Sequence, residues 1–466
     1  MNLPRIILGG TSSRAGKTLV SIGLMRALQN RGYEVQPFKI GPDFIDPSYH
    51  KFAAGRYSRN LDSYMMKSRD IVETFQRNGK GADIAIIEGV MGLYDSHDAI
   101  DEKGSTAEVA KILKAPVIII ANVERISRTA AAFVLGYKLF DKTVDIKGAI
   151  LNRVGSEKHA HKARLAVERL AGMEVVGVIP RSESVRIPER HLGLVPAYEM
   201  DAIEKMFDFL AKFVENYIDV DRILEIANGA PELQKVEENA LYHSKNNYDV
   251  KLGVMRDKAF TFYYEDTLDA FAANGAKLIY IDSFKDKKLP DIDALYIGGG
   301  FPEIFPDALE RNKKLREHIF NFCDEGKPVY AECGGLMYLG EKLLNKEGEE
   351  YEMVGYLPIT TKMQEKFQAL GYVRNVVIKD NPISRKNDIL VGHEFHHSKV
   401  ELKGKVKYTC KTMRGTGISG KHDGILLKNT LASYMHLHVL SYPNMIKNFL
   451  ECALSERAKK CLSQFQ

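Results

Sequence analysis

"GGTSSRAGKT", residues 9–18, decides the fold of the first half of the chain. Its end, Gly16-Lys17-Thr18, closes a phosphate-binding loop of the pattern G-x-x-x-x-G-K-[ST]. That spacing asks for a leading glycine at position 11, where the chain has Thr11, and Gly10 stands one residue early. The flanks nonetheless suit such a loop. "RIILGG" reads as a buried strand, and "KTLVSIGLMRALQNRG" as a helix closed by Gly32. A strand, a glycine-rich turn and a helix start aim backbone N–H groups and the positive end of a helix dipole at an anion. In this loop Gly10, Thr11 and Gly16 shape the turn. Lys17 is placed to pair with the β- and γ-phosphates of ATP, and Thr18 to ligate Mg2+.

Outward from the loop, "EVQPFKIG", "ADIAIIEGV", "APVIIIANV", "IKGAILNRV" and "EVVGVIP" read as buried strands. Helix-length segments at 104–114, 126–140 and 157–171 separate them. Continuous apolar strands alternating with helices predict an α/β domain with a parallel sheet covered on both faces. Open sheets of this kind bind ligands at their carboxyl strand ends. Lys39 and Asp43 fall just past the second strand, and Glu88 ends an apolar run before Gly89 and Gly92. Asp43 and Glu88 are the candidate carboxylates of a magnesium site beside Thr18. Asn152, ending "GAILN", is a candidate adenine-reading amide.

A chain of 466 residues is too long for one ordinary core, so at least two domains are expected. The net charge of +5 is small and the lysines are scattered, which argues against nucleic-acid binding. Five widely spaced cysteines without a C-x-x-C suggest no disulfide framework or zinc site, and fit a reducing, cytoplasmic compartment. The opening "LPRIILGG" is too short for a signal peptide, and no apolar run is long enough to span a bilayer. The polar stretch at 229–248 reads as a linker between a domain at 1–228 and a second at 249–466.

The second half starts another alternating series with "VKLGVMRD", "KLIYID" and "ALYIGGG" and helices at 264–273 and 307–325, then turns more β-rich beyond 351. In "PVYAECGGLMYLG" a strand stops at Cys333, two glycines follow and a helix begins. That is the geometry of a nucleophile elbow, and a helix N-terminus lowers a thiol pKa. Cys323, Cys410, Cys452 and Cys461 read as structural cysteines. The glycines of "IGGG" offer N–H groups for an oxyanion. In "SYMHLHVL", His436 and His438 share one face of a strand and are the candidate bases. "HEFHH" at 393–397 matches the zinc-protease pattern, yet its flanks are strand-like and that pattern needs a helix. "GTGISG" at 415–420 leads to no helix and reads as a hairpin loop.

Together these motifs resemble the cobyrinic acid a,c-diamide synthase family. "GTSSRAGKT", "VQPFKIGPDFIDP", "RNLDSYM", "EGVMGLYD", "ILNRV", "GGGFPE", "YAECGGLMYL", "GHEFHHS" and "ASYMHLH" occur in that family's order, over nearly the whole chain. The first half also resembles dethiobiotin synthetase, whose phosphate loop carries the same extra residue. The resemblance implies a dethiobiotin-synthetase-like parallel-sheet domain joined to a class I glutamine amidotransferase domain. It implies amidation of the a- and c-acetates of a tetrapyrrole with ATP, Mg2+ and L-glutamine or ammonia, through an acyl phosphate. Cobyrinate and nickel sirohydrochlorin, the latter on the way to the nickel tetrapyrrole of methane-forming organisms, are the candidate rings, with hydrogenobyrinate third. Carried onto this chain, Cys333 is the glutaminase nucleophile, and His436 raises its nucleophilicity. Gly299 and Gly300 are oxyanion candidates, and Lys39 lies near the transferring phosphoryl. Asp46, Asp62 and Asp95 line the synthetase site without assigned roles. Many class I glutaminases have an orienting glutamate two residues after the histidine. Here that place holds His438, a candidate for the third role. Arg14 stands where many relatives have glycine, either over the phosphates or facing solvent. A homodimer is compatible with the sequence, which does not set the oligomeric state.

Overall fold

The computed structural model describes residues 2–182, 189–190, 193–194, 203–243 and 247–463. It divides into two compact units, Met1–Glu238 and Asn239–Gln466. The division falls inside the stretch read as a linker, and both sides of that stretch are docked. Gln76 donates to the Gln234 carbonyl at 2.8 Å and accepts the Val236 N–H at 3.1 Å. The Arg5 guanidinium donates to the Pro231 carbonyl. Beyond the division, Asn274 donates to the Leu241 carbonyl at 2.8 Å.

In the first unit, strands β1 (Arg5–Gly10), β2 (Val35–Ile40), β3 (Arg59–Leu61), β4 (Ile84–Glu88), β5 (Val117–Asn122), β6 (Ile146–Val154) and β7 (Val175–Pro180) form one sheet. Its order is β3-β2-β4-β1-β5-β6-β7, and every neighbouring pair is parallel. The helices are α1 (Lys17–Asn30), α2 (Ile45–Ala54), α3 (Ser68–Asn78), α4 (Thr106–Ile112), α5 (Thr129–Phe140), α6 (Glu157–Leu170), α7 (Ile203–Tyr217) and α8 (Val220–Asn228). A two-residue pair, β8 (Glu189–Arg190) and β9 (Gly193–Leu194), stands apart from the sheet. All of β1, β2 and β4 is buried, as unbroken apolar runs in a doubly covered sheet should be. The chain leaves central β1 for β2 on one side and returns for β5 on the other, so the loops after β1, β2 and β4 open together. Register sets Glu88 beside both Leu8 and Lys39.

In the second unit, ten strands order as β11-β10-β12-β13-β22-β21-β20-β17-β18-β23. These are β10 (Val250–Met255), β11 (Ala276–Ile281), β12 (Ala294–Ile297), β13 (Val329–Glu332), β17 (Ala369–Val377), β18 (Ile389–His396), β20 (Lys407–Arg414), β21 (His422–Leu427), β22 (Thr430–Ser433) and β23 (His436–Leu437). The sheet is parallel from β11 to β22 and antiparallel beyond. A smaller sheet holds β14 (Gly340–Leu344), β15 (Glu350–Glu352), β16 (Leu357–Met363) and β19 (Ser398–Leu402). The helices are α9 (Glu265–Ala273), α10 (Pro306–Arg311), α11 (Lys313–Asp324), α12 (Gly334–Leu339) and α13 (Asn444–Ser463). The helix expected over 307–325 is thus two helices. It breaks at Asn312, whose buried amide donates to the Ser283 and Asp286 carbonyls at 2.8 and 2.7 Å. The loop read at 415–420 does join antiparallel β20 to β21. No helix among the described residues is long and apolar enough to cross a membrane. Cys323 and Cys410 are buried and Cys452 partly so, while the Cys461 side chain lies outside the described residues.

Candidate active sites

The phosphate loop leaves β1 at Gly10 and enters α1 at Lys17, with Gly16 left-handed at the N-cap and no side chain capping the helix. Gly10 is a place of close approach, because a methyl there would stand 3.0 Å from the Lys17 Nζ. The early glycine therefore makes room for the lysine that folds back along the loop. Lys17 Nζ donates to the carbonyls of Ser12 (3.1 Å) and Met91 (2.6 Å). Asn152 lies beneath the loop and donates to the Ala15 carbonyl at 2.8 Å, while its own oxygen accepts the Arg153 N–H at 2.8 Å. The structure thus gives this amide a loop-supporting contact. Arg14 takes φ +60° with its side chain exposed, a backbone that explains why glycine would suit this position.

Next to the loop lies a buried charge cluster. Thr18 Oγ1 donates to Glu88 Oε1 at 2.7 Å. Lys39 Nζ reaches Asp46 Oδ2 at 2.5 Å, Glu88 Oε1 at 3.1 Å and Asp43 Oδ2 at 3.9 Å. Burial opposes the Lys39 charge, but Asp46, Glu88 and Asp43 outweigh it and hold the ammonium above its ordinary range. For Glu88, burial is likewise outweighed, here by Lys39 and by His50, and the carboxyl is held below its ordinary range. His50 was missed in the sequence reading. Its Nε2 meets Glu88 Oε2 at 2.7 Å and its Nδ1 meets Ser58 Oγ at 3.1 Å. Asp43 accepts the N–H groups of Ile45 (2.8 Å) and Asp46 (3.1 Å) with Oδ1. Asp62 accepts the Tyr64 N–H and Asp95 the Gly92 N–H, each at 2.8 Å, so both brace loops.

This donor set fits Mg·ATP. A threonine hydroxyl and carboxylates are hard oxygen ligands, and magnesium is held by few protein groups plus substrate phosphates. Among the described residues no three His, Cys, Asp or Glu form a metal cage by themselves. Thr18, Asp43 and Glu88 would hold the ion, which neutralises charge on the phosphates. Burial first, then the charge of Lys39, pulls the Lys17 ammonium down to about 8. A polyphosphate favours its charged form, so nucleotide binding above about pH 8 should take up a proton. Affinity is then expected to fall by up to ~10-fold per pH unit above that point. Titration calorimetry in buffers of different ionisation enthalpy measures the proton uptake, and its absence there would exclude this account of Lys17.

In the second unit three strand ends meet. Cys333 follows β13 at φ +45°, ψ −98°, with its N–H donated to the Ser433 carbonyl at 2.7 Å. At Gly334 the backbone passes close to its neighbours, since a methyl there would come within 3.1 Å of the Gly300 nitrogen and 3.0 Å of Pro302. That closeness sets Gly300 beside the thiol's turn, and Gly299 lies against the His436 ring. Burial pushes the thiol pKa above its ordinary value, Glu303 and Glu332 add to that, and the Gly334 N–H partly opposes.

His436 is contacted by a residue that the sequence reading did not name. Its Nδ1 lies 3.1 Å from Glu332 Oε2, and both side chains are buried. His438 instead accepts the Leu440 N–H on Nδ1 at 3.1 Å and packs edge-on to Tyr264. Glu332 was missed, although a charged residue ending an apolar strand just before Cys333 was a usable signal. The "HEFHH" run lies mostly on β18, which removes the helical zinc reading. Glu394 of that run accepts the Thr416 and Gly417 N–H groups at 2.5 and 3.0 Å, so it anchors the "GTGISG" loop. His393 stacks on His436 with ring centroids 5.0 Å apart.

Comparison with known proteins agrees with this two-site layout. Residues 6–195 match the CobQ/CobB/MinD/ParA nucleotide binding domain, and residues 251–444 match the CobB/CobQ-like glutamine amidotransferase domain. The cobyrinate a,c-diamide synthase of Archaeoglobus fulgidus is 57% identical over 98% of this chain and 99% of that protein. Its namesakes from Methanosarcina acetivorans and Methanobrevibacter smithii are 41% and 44% identical, over 98% and 94% of this chain and 97% of each of those proteins. With a phosphate loop in one half, a cysteine elbow in the other and relatives alike from end to end, the chain belongs to the cobyrinate a,c-diamide synthase family of enzymes.

Proposed function

We propose that the chain amidates the a- and c-acetate carboxylates of a metal tetrapyrrole, cobyrinate or nickel sirohydrochlorin, with Mg·ATP and glutamine. The observation that carries this is the pairing of two built sites in one chain: Lys17, Thr18, Lys39 and Glu88 in one, Cys333 and His436 in the other. A carboxylate is a poor acyl donor because its leaving group is oxide. Transfer of the γ-phosphoryl to the carboxylate oxygen makes phosphate the leaving group. Ammonia then attacks the carbonyl carbon, the C–O bond to phosphate breaks, and an amide remains. Lys17 and Lys39 hold charge near the transferring group. In the glutaminase half, His436 takes the Cys333 proton as sulfur bonds to the glutamine amide carbon, then returns it to the nitrogen as the C–N bond breaks. Ammonia leaves a thioester, which water hydrolyses to glutamate and the free thiol. The relatives' names support cobyrinate as the ring, while the glutaminase step, the acyl phosphate and the nickel ring rest on this reading. The test is purified protein with Mg·ATP, glutamine and cobyrinate, nickel sirohydrochlorin or hydrogenobyrinate in turn, read by mass spectrometry. The substrate should lose the mass difference between a hydroxyl and an amino group at each amidation. A product from none of the rings sinks the proposal, and a product from the metal-free ring alone moves it to hydrogenobyrinate.

A further inference from the structure

We propose that Glu332, not His438, is the residue that positions His436 in the glutaminase site; this rests on the reading of Cys333 and His436 as nucleophile and base. The two carboxylate oxygens of Glu332 have separate tasks. Oε1 accepts the Tyr330 hydroxyl at 2.6 Å and the Leu437 N–H at 3.2 Å. Oε2 is left to face His436 Nδ1 at 3.1 Å. The first pair of bonds fixes the carboxylate and ties it to the backbone next to the histidine. The second sets a carboxyl oxygen against Nδ1, an acceptor that favours the proton on Nδ1 and leaves Nε2 with the lone pair of a base. The imidazolium formed when Cys333 gives up its proton is stabilised by the same carboxylate. The side chain comes from the residue directly before the nucleophile, so one strand end supplies both the thiol and the group that orients its base. His438 turns its Nδ1 elsewhere, to accept the Leu440 N–H.

Glu332→Gln keeps the size of the side chain and an oxygen for Tyr330 and Leu437, but turns an N–H toward His436 Nδ1. The imidazole must then accept there and carry its proton on Nε2, the wrong tautomer for a base. The expected result is a fall in kcat for glutamine hydrolysis of about 10^3–10^4-fold, with KM for glutamine close to that of the unaltered enzyme. Nitrogen-15 spectra of histidine-labelled protein should show one histidine exchanging its protonated nitrogen from Nδ1 to Nε2. Amidation with ammonia should keep its rate. Full glutaminase rate in Glu332→Gln overturns the proposal. So does a loss of rate with the tautomer unchanged, which would mark a structural role. A loss on His438→Gln with Glu332→Gln fully active would return the role to His438. If the unaltered enzyme hydrolyses no glutamine, the functional reading itself fails instead.

Discussion

Cys333→Ala is expected to lower glutamine-dependent amidation by about 10^4-fold or more and to leave ammonia-dependent amidation at full rate. The substitution removes the sulfur that bonds to the glutamine carbonyl, and no neighbouring group replaces it. In the proposed function, carboxylate activation uses the other unit's residues, so supplied ammonia should bypass the lesion. The same position allows a stability test. A non-glycine residue at φ +45° holds strain of about 1–3 kcal/mol. Cys333→Gly should therefore be as inactive with glutamine as Cys333→Ala, yet melt at a higher temperature than Cys333→Ala. Strain kept at a nucleophile is a cost in stability that function retains. Mass spectrometry with each nitrogen source, paired with thermal melts, checks both claims. If both nitrogen sources still work in Cys333→Ala, or both fail in a folded protein, the division of labour is wrong.

What could be read in the sequence followed from local pattern. Unbroken apolar runs gave the parallel strands, and the residues after them gave the loop, Glu88 and the cysteine turn. What could not be read depended on contacts between distant residues or on competition between effects. Glu332 and His436 lie 104 positions apart, and only the return of β23 toward the end of β13 brings them together. His438 is a candidate in the sequence because it stands where many class I glutaminases have their orienting glutamate. At Cys333 the helix start and the burial push the thiol pKa in opposite directions, a competition that no motif records. His50 had a readable signal, since Asp46 and His50 are four apart on α2 and so share a helix face. Arg14 looked anomalous as a charge, whereas its unusual feature is a left-handed backbone.

Lys39→Met is expected to stop amidation with either nitrogen source and to destabilise the first unit by about 3–5 kcal/mol at neutral pH. Lys39 is the cation against which Asp46, Glu88 and Asp43 are set, and its side chain and that of Glu88 are buried. Replacing it with an apolar chain of similar length leaves those carboxylates facing one another in a place water reaches poorly. The sign of the pH dependence follows. With Lys39 present, burial of Glu88 is outweighed by Lys39 and His50, so its folded pKa is depressed. That contribution is present above the unfolded carboxylate pKa and lost on acidification. Without Lys39 the folded carboxyl groups are pushed above their unfolded values, so the folded variant binds more protons. Its stability then falls as pH rises through those values, and the gap between variant and unaltered protein should be wider at pH 7 than at pH 5. Urea melts at both pH values measure the gap. A second variant separates chemistry from folding: Lys39→Met with Glu88→Gln removes one of the opposed charges and should recover part of the stability without recovering activity. A Lys39→Met protein as stable as the unaltered chain at neutral pH, or a double variant that amidates with ammonia, would show that the cluster is not the charge balance at the heart of the phosphoryl-transfer site.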